Sequence, residues 1–112
     1  MATHHLSIPR LIADLQSPER SVRLDAAAAL GRLGPKAGQA VPALILALKD
    51  ADVHVRKLAA LALGDIGQDA VAAVPALVEA CQDQHEAVRH RALMALRELR
   101  LTAASPGRSA AA

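Results

Sequence analysis

The sequence predicts an all-α chain, a solenoid of three helix-turn-helix repeats with a 33-residue period. Three observations carry that prediction. Phe, Trp and Tyr are absent, 27 Ala and 17 Leu make up 44 of the 112 residues, and the sequence matches itself without a gap at an offset of 33. Ala and Leu head the helix-propensity ranking, and the aromatic residues that usually fill sheets are missing, so an all-β fold is excluded. Residues 8–40 match 41–73 at 14 of 33 positions, and 41–68 match 74–101 at 11 of 28. Pro9, Pro42 and Pro75 fall in register, as do Val22, Val55 and Val88, and Arg23, Arg56 and Arg89. Three such units are near the minimum for an independently stable stack.

Each copy reads as two helices with a polar break between them. After a lead-in over residues 1–6, the first helices carry i, i+3, i+4, i+7 stripes: Ile8, Leu11, Ile12, Leu15; Val41, Leu44, Ile45, Leu48; and Val74, Leu77, Val78, Cys81. The prolines fit first turns, where a missing N–H costs little. The breaks SPERS, DADVH and DQHEA each offer a capping side chain or an acid near the positive end of the next helix. The second helix of the middle copy turns Val55, Ala59, Ala62, Leu63 and Ile66 inward and stops at Gly67, as its predecessor stops at Gly34 before Pro35. In the third copy Gly64 and Gly67 become Arg97 and Arg100. That helix therefore runs on to Leu101, as a capping repeat with a wet outer face requires. The repeat domain spans 7–101, in copies of about 8–40, 41–73 and 74–101, and the tail 102–112 reads as disordered because TAASPGRSAAA has no stripe.

Composition also limits function. Without rings there is no stacking platform for single-stranded nucleic acid and no aromatic cage for a methylated cation. The formal charge is +2 and the pI 9.2, yet residues 1–82 carry eight charges of each sign, so no dense basic stripe spans the chain. Nucleic acid is disfavoured as a partner. No run reaches the 18 or so apolar residues of a membrane helix, so no membrane is expected. One cysteine and the absence of a signal-peptide pattern fit a reducing cytoplasm.

A 33-residue helix pair is open to several repeat types. The Thr-Pro-Leu-His element of ankyrin is absent, as are the Trp and Tyr of tetratricopeptide units. The stretch VPALILALKDADVHVRKLAALALGDIG, Val41 to Gly67, resembles a HEAT-like repeat of the short bacterial type also named after phycobilisome lyases. Its marks are the acidic turn, Val-Arg, the small alanines and the closing Leu-Gly. The resemblance covers about residues 7–101 and speaks to fold far more than to activity. It implies a structural role for Arg23, Arg56 and Arg89, tying one repeat to the next through an acidic turn residue. Asp50 and Asp83 are in place for that role, and Ser17 stands at that position in the first copy.

The resemblance further implies that the second helices line a concave face, whose side-chain columns a partner meets. These columns read Leu24, Lys57, His90; Asp25, Leu58, Arg91; Ala28, Leu61, Met94; and Arg32, Asp65, Glu98. Here the copies disagree most. Leu58, Leu61 and Met94 either pack between adjacent second helices or form a contact patch. The favoured partner contacts are Lys57, Leu61, Asp65, His90, Arg91 and Met94, and the expected function is a non-catalytic scaffold for a protein or peptide.

Catalytic and metal readings fare worse. Cys81 aligns with Leu15 and Leu48 on a buried stripe, where a thiol is a core residue and not an exposed, electropositive nucleophile. Glu86 and His90, with His85 adjacent and His54 one repeat away, do not converge as zinc requires, and His4 and His5 precede the first helix, so no metal is expected. HEAT-like di-iron hydroxylases of deoxyhypusine carry His-Glu pairs at positions filled here by Leu24 and Asp25, Lys57 and Leu58, and His90 and Arg91, which implies that this activity is absent. HEAT-like DNA glycosylases use a basic concave face with aromatic help, whereas this face is mixed in sign and ring-free. The remaining alternative is a lyase-type or enzyme-accessory domain acting with a tetrapyrrole or another enzyme subunit. No cofactor and no catalytic residue are expected for the scaffold.

Overall fold

A computed structural model describes residues 7–103, with side chains through residue 100. Six α-helices alternate in length: α1 (Ile8–Asp14), α2 (Arg20–Leu33), α3 (Val41–Ala47), α4 (Val53–Ile66), α5 (Val74–Ala80) and α6 (Glu86–Ala103). They form three antiparallel pairs stacked side by side, with α4 packed between α2 and α6. The resulting all-α solenoid is thin, with extents of 48 × 37 × 17 Å.

The short helices begin as their sequence requires. A proline occupies the first turn of α1, α3 and α5, and Ser7 caps α1 by accepting a hydrogen bond from the Arg10 N–H. The long helices start from turns in which one side chain replaces a missing backbone partner. Asp52 caps α4, its carboxylate accepting from the His54 and Val55 N–H groups at 2.9 and 3.0 Å. Two residues earlier, the Asp50 carboxylate accepts from the Asp52 N–H at 2.8 Å, and its counterparts Ser17 and Asp83 do the same for Glu19 and His85. In the break before α2 the N-cap residue Glu19 makes no side-chain cap and instead places an acid at the start of the helix.

Between pairs, the chain turns back at Gly34 and Gly67, whose φ values of 60° and 82° are open to glycine and strained for other residues. Each glycine leads into a 3-10 segment, Gly34–Ala40 and Gly67–Ala73, that the apolar spacing does not announce. These segments present one face of small residues at i, i+3, Ala37 with Ala40 and Ala70 with Ala73, all fully buried.

The core is aliphatic throughout. Leu30, Leu44, Leu63, Leu77, Val55 and Val88 are fully buried, with alanines at the closest approaches. A Cβ on Gly31 would lie 3.4 Å from the Ala62 Cα, and one on Gly64 3.1 Å from the Ala95 Cα, so neighbouring long helices nearly touch backbone to backbone. Among the described residues no charged or polar side chain is buried, and no buried side-chain nitrogen or oxygen lacks a partner.

Three expectations shift. Val78, on the α5 stripe, is 54% exposed, and Cys81 is half-buried where Leu15 and Leu48 are buried, because nothing among the described residues covers the outer flank of α5. Helix α6 extends to Ala103, two residues into the expected tail. The lead-in 1–6, with His4 and His5, and the rest of the tail, 104–112, lie outside the described residues. Residues Val53–Ala80 are apolar enough in composition to cross a membrane, with mean hydropathy 1.4, but the positive φ at Gly67 and the following 3-10 segment divide that run into α4 and α5. Helix α4 is amphipathic within the stack, burying Val55, Ala59, Ala62, Leu63 and Ile66.

Candidate protein-interaction surface

One edge of the stack is tied by arginines that point forward along the chain. Arg23 forks onto the Asp50 carboxylate with Nε and Nη2 at 2.9 and 3.3 Å, while its Nη1 donates to the Ser17 carbonyl of its own turn at 2.9 Å. Arg56 repeats the arrangement one copy later, with Asp83 at 2.8 and 3.2 Å and the Asp50 carbonyl at 2.8 Å. Arg89 donates to the Asp83 and Gln84 carbonyls, and no described carboxylate pairs with it. At the corresponding position of the first copy the Ser17 hydroxyl holds its own turn by accepting from the Glu19 N–H, and its carbonyl accepts from Arg23.

The forked pairs are largely sheltered, with side-chain exposures of 17% and 12% for Arg23 and Asp50, and 14% and 12% for Arg56 and Asp83. Burial alone would raise the Asp83 carboxyl. The Arg56 guanidinium and the His85 N–H outweigh it and hold Asp83 below the usual aspartate range. A further tie, Arg20 to Asp52, has no counterpart in the other copies because its position is filled by Val53 and Glu86. The Arg20 hydrogen bond is the chief reason that Asp52 lies below its ordinary value.

On the side of the long helices turned away from the short ones, Lys57, Leu61 and Asp65 follow one another at i, i+4 along α4, and His90 and Met94 do so on α6. The packing of α4 on α6 brings these residues, with Arg91, onto two adjacent rows. Asp65 and His90 are exposed, Met94 sits at the exposed margin, and Lys57, Leu61 and Arg91 are half-buried. Leu24 and Leu58 pack against the core, which separates Leu58 from Met94 in role. Partial burial raises the Asp65 carboxyl, the nearby Glu98 raises it further, and Arg91 opposes both. Together these residues make an amphipathic strip of mixed charge. Among the described residues no three His, Cys, Asp or Glu side chains converge as a metal site.

The sequence reading missed the flank of α6. Leu93 is 53% exposed where Ala27 and Ala60 are fully buried, and Val71, aligned with Gly38, is 46% exposed. The available signal was a large residue in an otherwise small column.

Stacked helix pairs, glycine-stopped long helices and a forward arginine-aspartate ladder define an α-solenoid of the helical-repeat class. The model of the HEAT repeats matches residues 8–97, and the chain belongs to that family. Among solved structures, the chain is 36% identical, with a TM-score of 0.77, to a chain in the complex of CpcE and CpcF of phycocyanin lyase from Nostoc sp. PCC7120. That likeness covers 89% of this chain and 40% of the other, so this chain spans well under half the length of that relative. No curated protein matches.

Proposed function

We propose that this chain is a non-catalytic interaction module that binds a protein or peptide along the outward rows of α4 and α6. The observation that carries the reading is the contrast between a repeated framework and a varied strip. The turn arginine and core leucines recur in all three copies and the turn aspartate in two, while Lys57, Leu61 and Asp65 give way to His90, Met94 and Glu98. A similar chain occurs in a complex of two proteins, which supports a protein as the partner. With no aromatic anchor to offer, the strip holds its partner by aliphatic contact, charge and shape, and affinity from this side is modest. The test is quantitative affinity capture from native extract with wild type and with Leu61→Glu/Met94→Glu. The proposal expects specific proteins to be lost from the variant, and identical capture by both rejects the strip.

The lyase-accessory reading rests on the 36% identity to a chain of a phycocyanin lyase complex. Incubation of the pure protein with bilins separates the two readings. The scaffold leaves the bilin spectrum unchanged, and a stoichiometric new visible band would make this an accessory domain that handles tetrapyrroles.

A further inference from the structure

At the internal joint, the outer flank of the α3–α4 pair is covered by the next copy, including the 3-10 segment Gly67–Ala73, which packs on both helices. Val41, Ala60, Leu63 and Ile66 are consequently buried there. Among the described residues nothing covers the same flank of the third copy. Arg100 replaces the turning glycines Gly34 and Gly67, α6 runs straight on to Ala103, and a cleft of about 480 Å³ remains between α6 and the start of α5. Val71, Val74, Leu93, Leu96 and Leu99 form its floor, and Arg97 and Arg100 are its charged lining.

Two features specify the occupant. Arg97 stands where Gly31 and Gly64 admit the next long helix to backbone contact, so a helix cannot seat here as α6 seats on α4. A thinner segment with small residues fits, as Ala70 and Ala73 fit at the internal joint. The two arginines call for a carboxylate, and residues 99–112 carry no Asp or Glu side chain to offer one. We infer that this cleft docks an alanine- and valine-rich, acid-bearing segment of a partner protein, seated as residues 67–73 seat on the preceding helix pair. The site is separate from the strip on α4 and α6 and stands or falls without it.

A synthetic peptide with the sequence of residues 65–78, DIGQDAVAAVPALV, is a suitable probe because it carries Asp65, Asp69 and the two buried alanines. Titrated into the isotope-labelled full chain, it is expected to give saturable amide shifts centred on Val71, Leu93, Leu96, Arg97 and Arg100. Leu93→Glu, at an exposed position that the fold tolerates, should weaken binding at least about tenfold. Arg97→Ser/Arg100→Ser should weaken it and remove its salt dependence, and Leu61→Glu/Met94→Glu should leave it intact. Absence of saturable shifts, equal binding of a peptide with both Asp replaced by Lys, or shifts centred on Leu61 and Met94 would each overturn the inference.

Discussion

Arg56 holds two loops at once, and its planar fork is what makes that possible. Nε and Nη2 grip the Asp83 carboxylate while Nη1 reaches back to the Asp50 carbonyl, a division of labour that a lysine cannot reproduce. Arg23→Ala and Arg56→Ala are each expected to cost about 1–2 kcal/mol, the value of charged hydrogen bonds discounted for partial solvent access. Arg89→Ala, which removes bonds to carbonyls alone, should cost less than about 0.5 kcal/mol. Urea unfolding midpoints decide the matter, and equal losses at all three positions would mean that the carboxylate ties add nothing. The acids respond to pH in opposite senses. Asp83 and Asp52 are held low, so the stability they confer is complete above the ordinary aspartate value and is lost as pH falls through their lowered ones. Asp65 is raised, so its contribution declines as pH rises from the ordinary value through the raised one. Thermal unfolding at neutral pH should therefore show Asp65→Asn more stable than wild type and Asp83→Asn less stable. A reversed order would contradict the assigned environments.

At the scale of the element, the long helices are set by how closely they approach. Gly31→Ala places a methyl at ordinary contact distance from Ala62, and the helix-propensity gain of up to about 1 kcal/mol should leave the protein as stable or more so. Gly64→Ala meets the Ala95 backbone at 3.1 Å, and overpacking of about 1–3 kcal/mol should outweigh the same gain. Differential calorimetry on the pair is expected to give the higher midpoint to Gly31→Ala. The helices themselves were legible because their stripes, prolines and closing glycines are local signals that agree with one another. The 3-10 segments were not. GPKAGQA and GQDAVAA carry no 3.6-residue period, and their alanines at i, i+3 take meaning only from the flanks that bury them. Val78 and Cys81 were misread for the complementary reason, since a stripe reports which side of a helix is apolar but not whether a neighbour arrives to cover it.

For the whole molecule, neighbours touch neighbours and little else, so stability varies along the stack. Helix α4 is flanked by long helices on both sides, while among the described residues α2 and α6 each pack against one. Amide hydrogen exchange should accordingly be slowest in α4 and faster toward α1 and the end of α6, and uniform protection across the six helices would refute this picture. The candidate strip was readable from the sequence as columns, because a fixed period assigns each side chain a row. The division of its leucines was not, because the packing of Leu58 and the margin position of Met94 depend on how far adjacent helices splay. The ladder has a mechanical consequence. Asp50 accepts Arg23 on its carboxylate and Arg56 on its carbonyl, and Asp83 likewise accepts Arg56 and Arg89, so the links join into one string along the turn edge. On the opposite edge, where the 3-10 segments run and Asp69 packs over Gly38, no ion pair joins them among the described residues. A load on the stack would therefore open it like a fan hinged along the string, widening the gaps between the 3-10 segments while the turns keep their spacing.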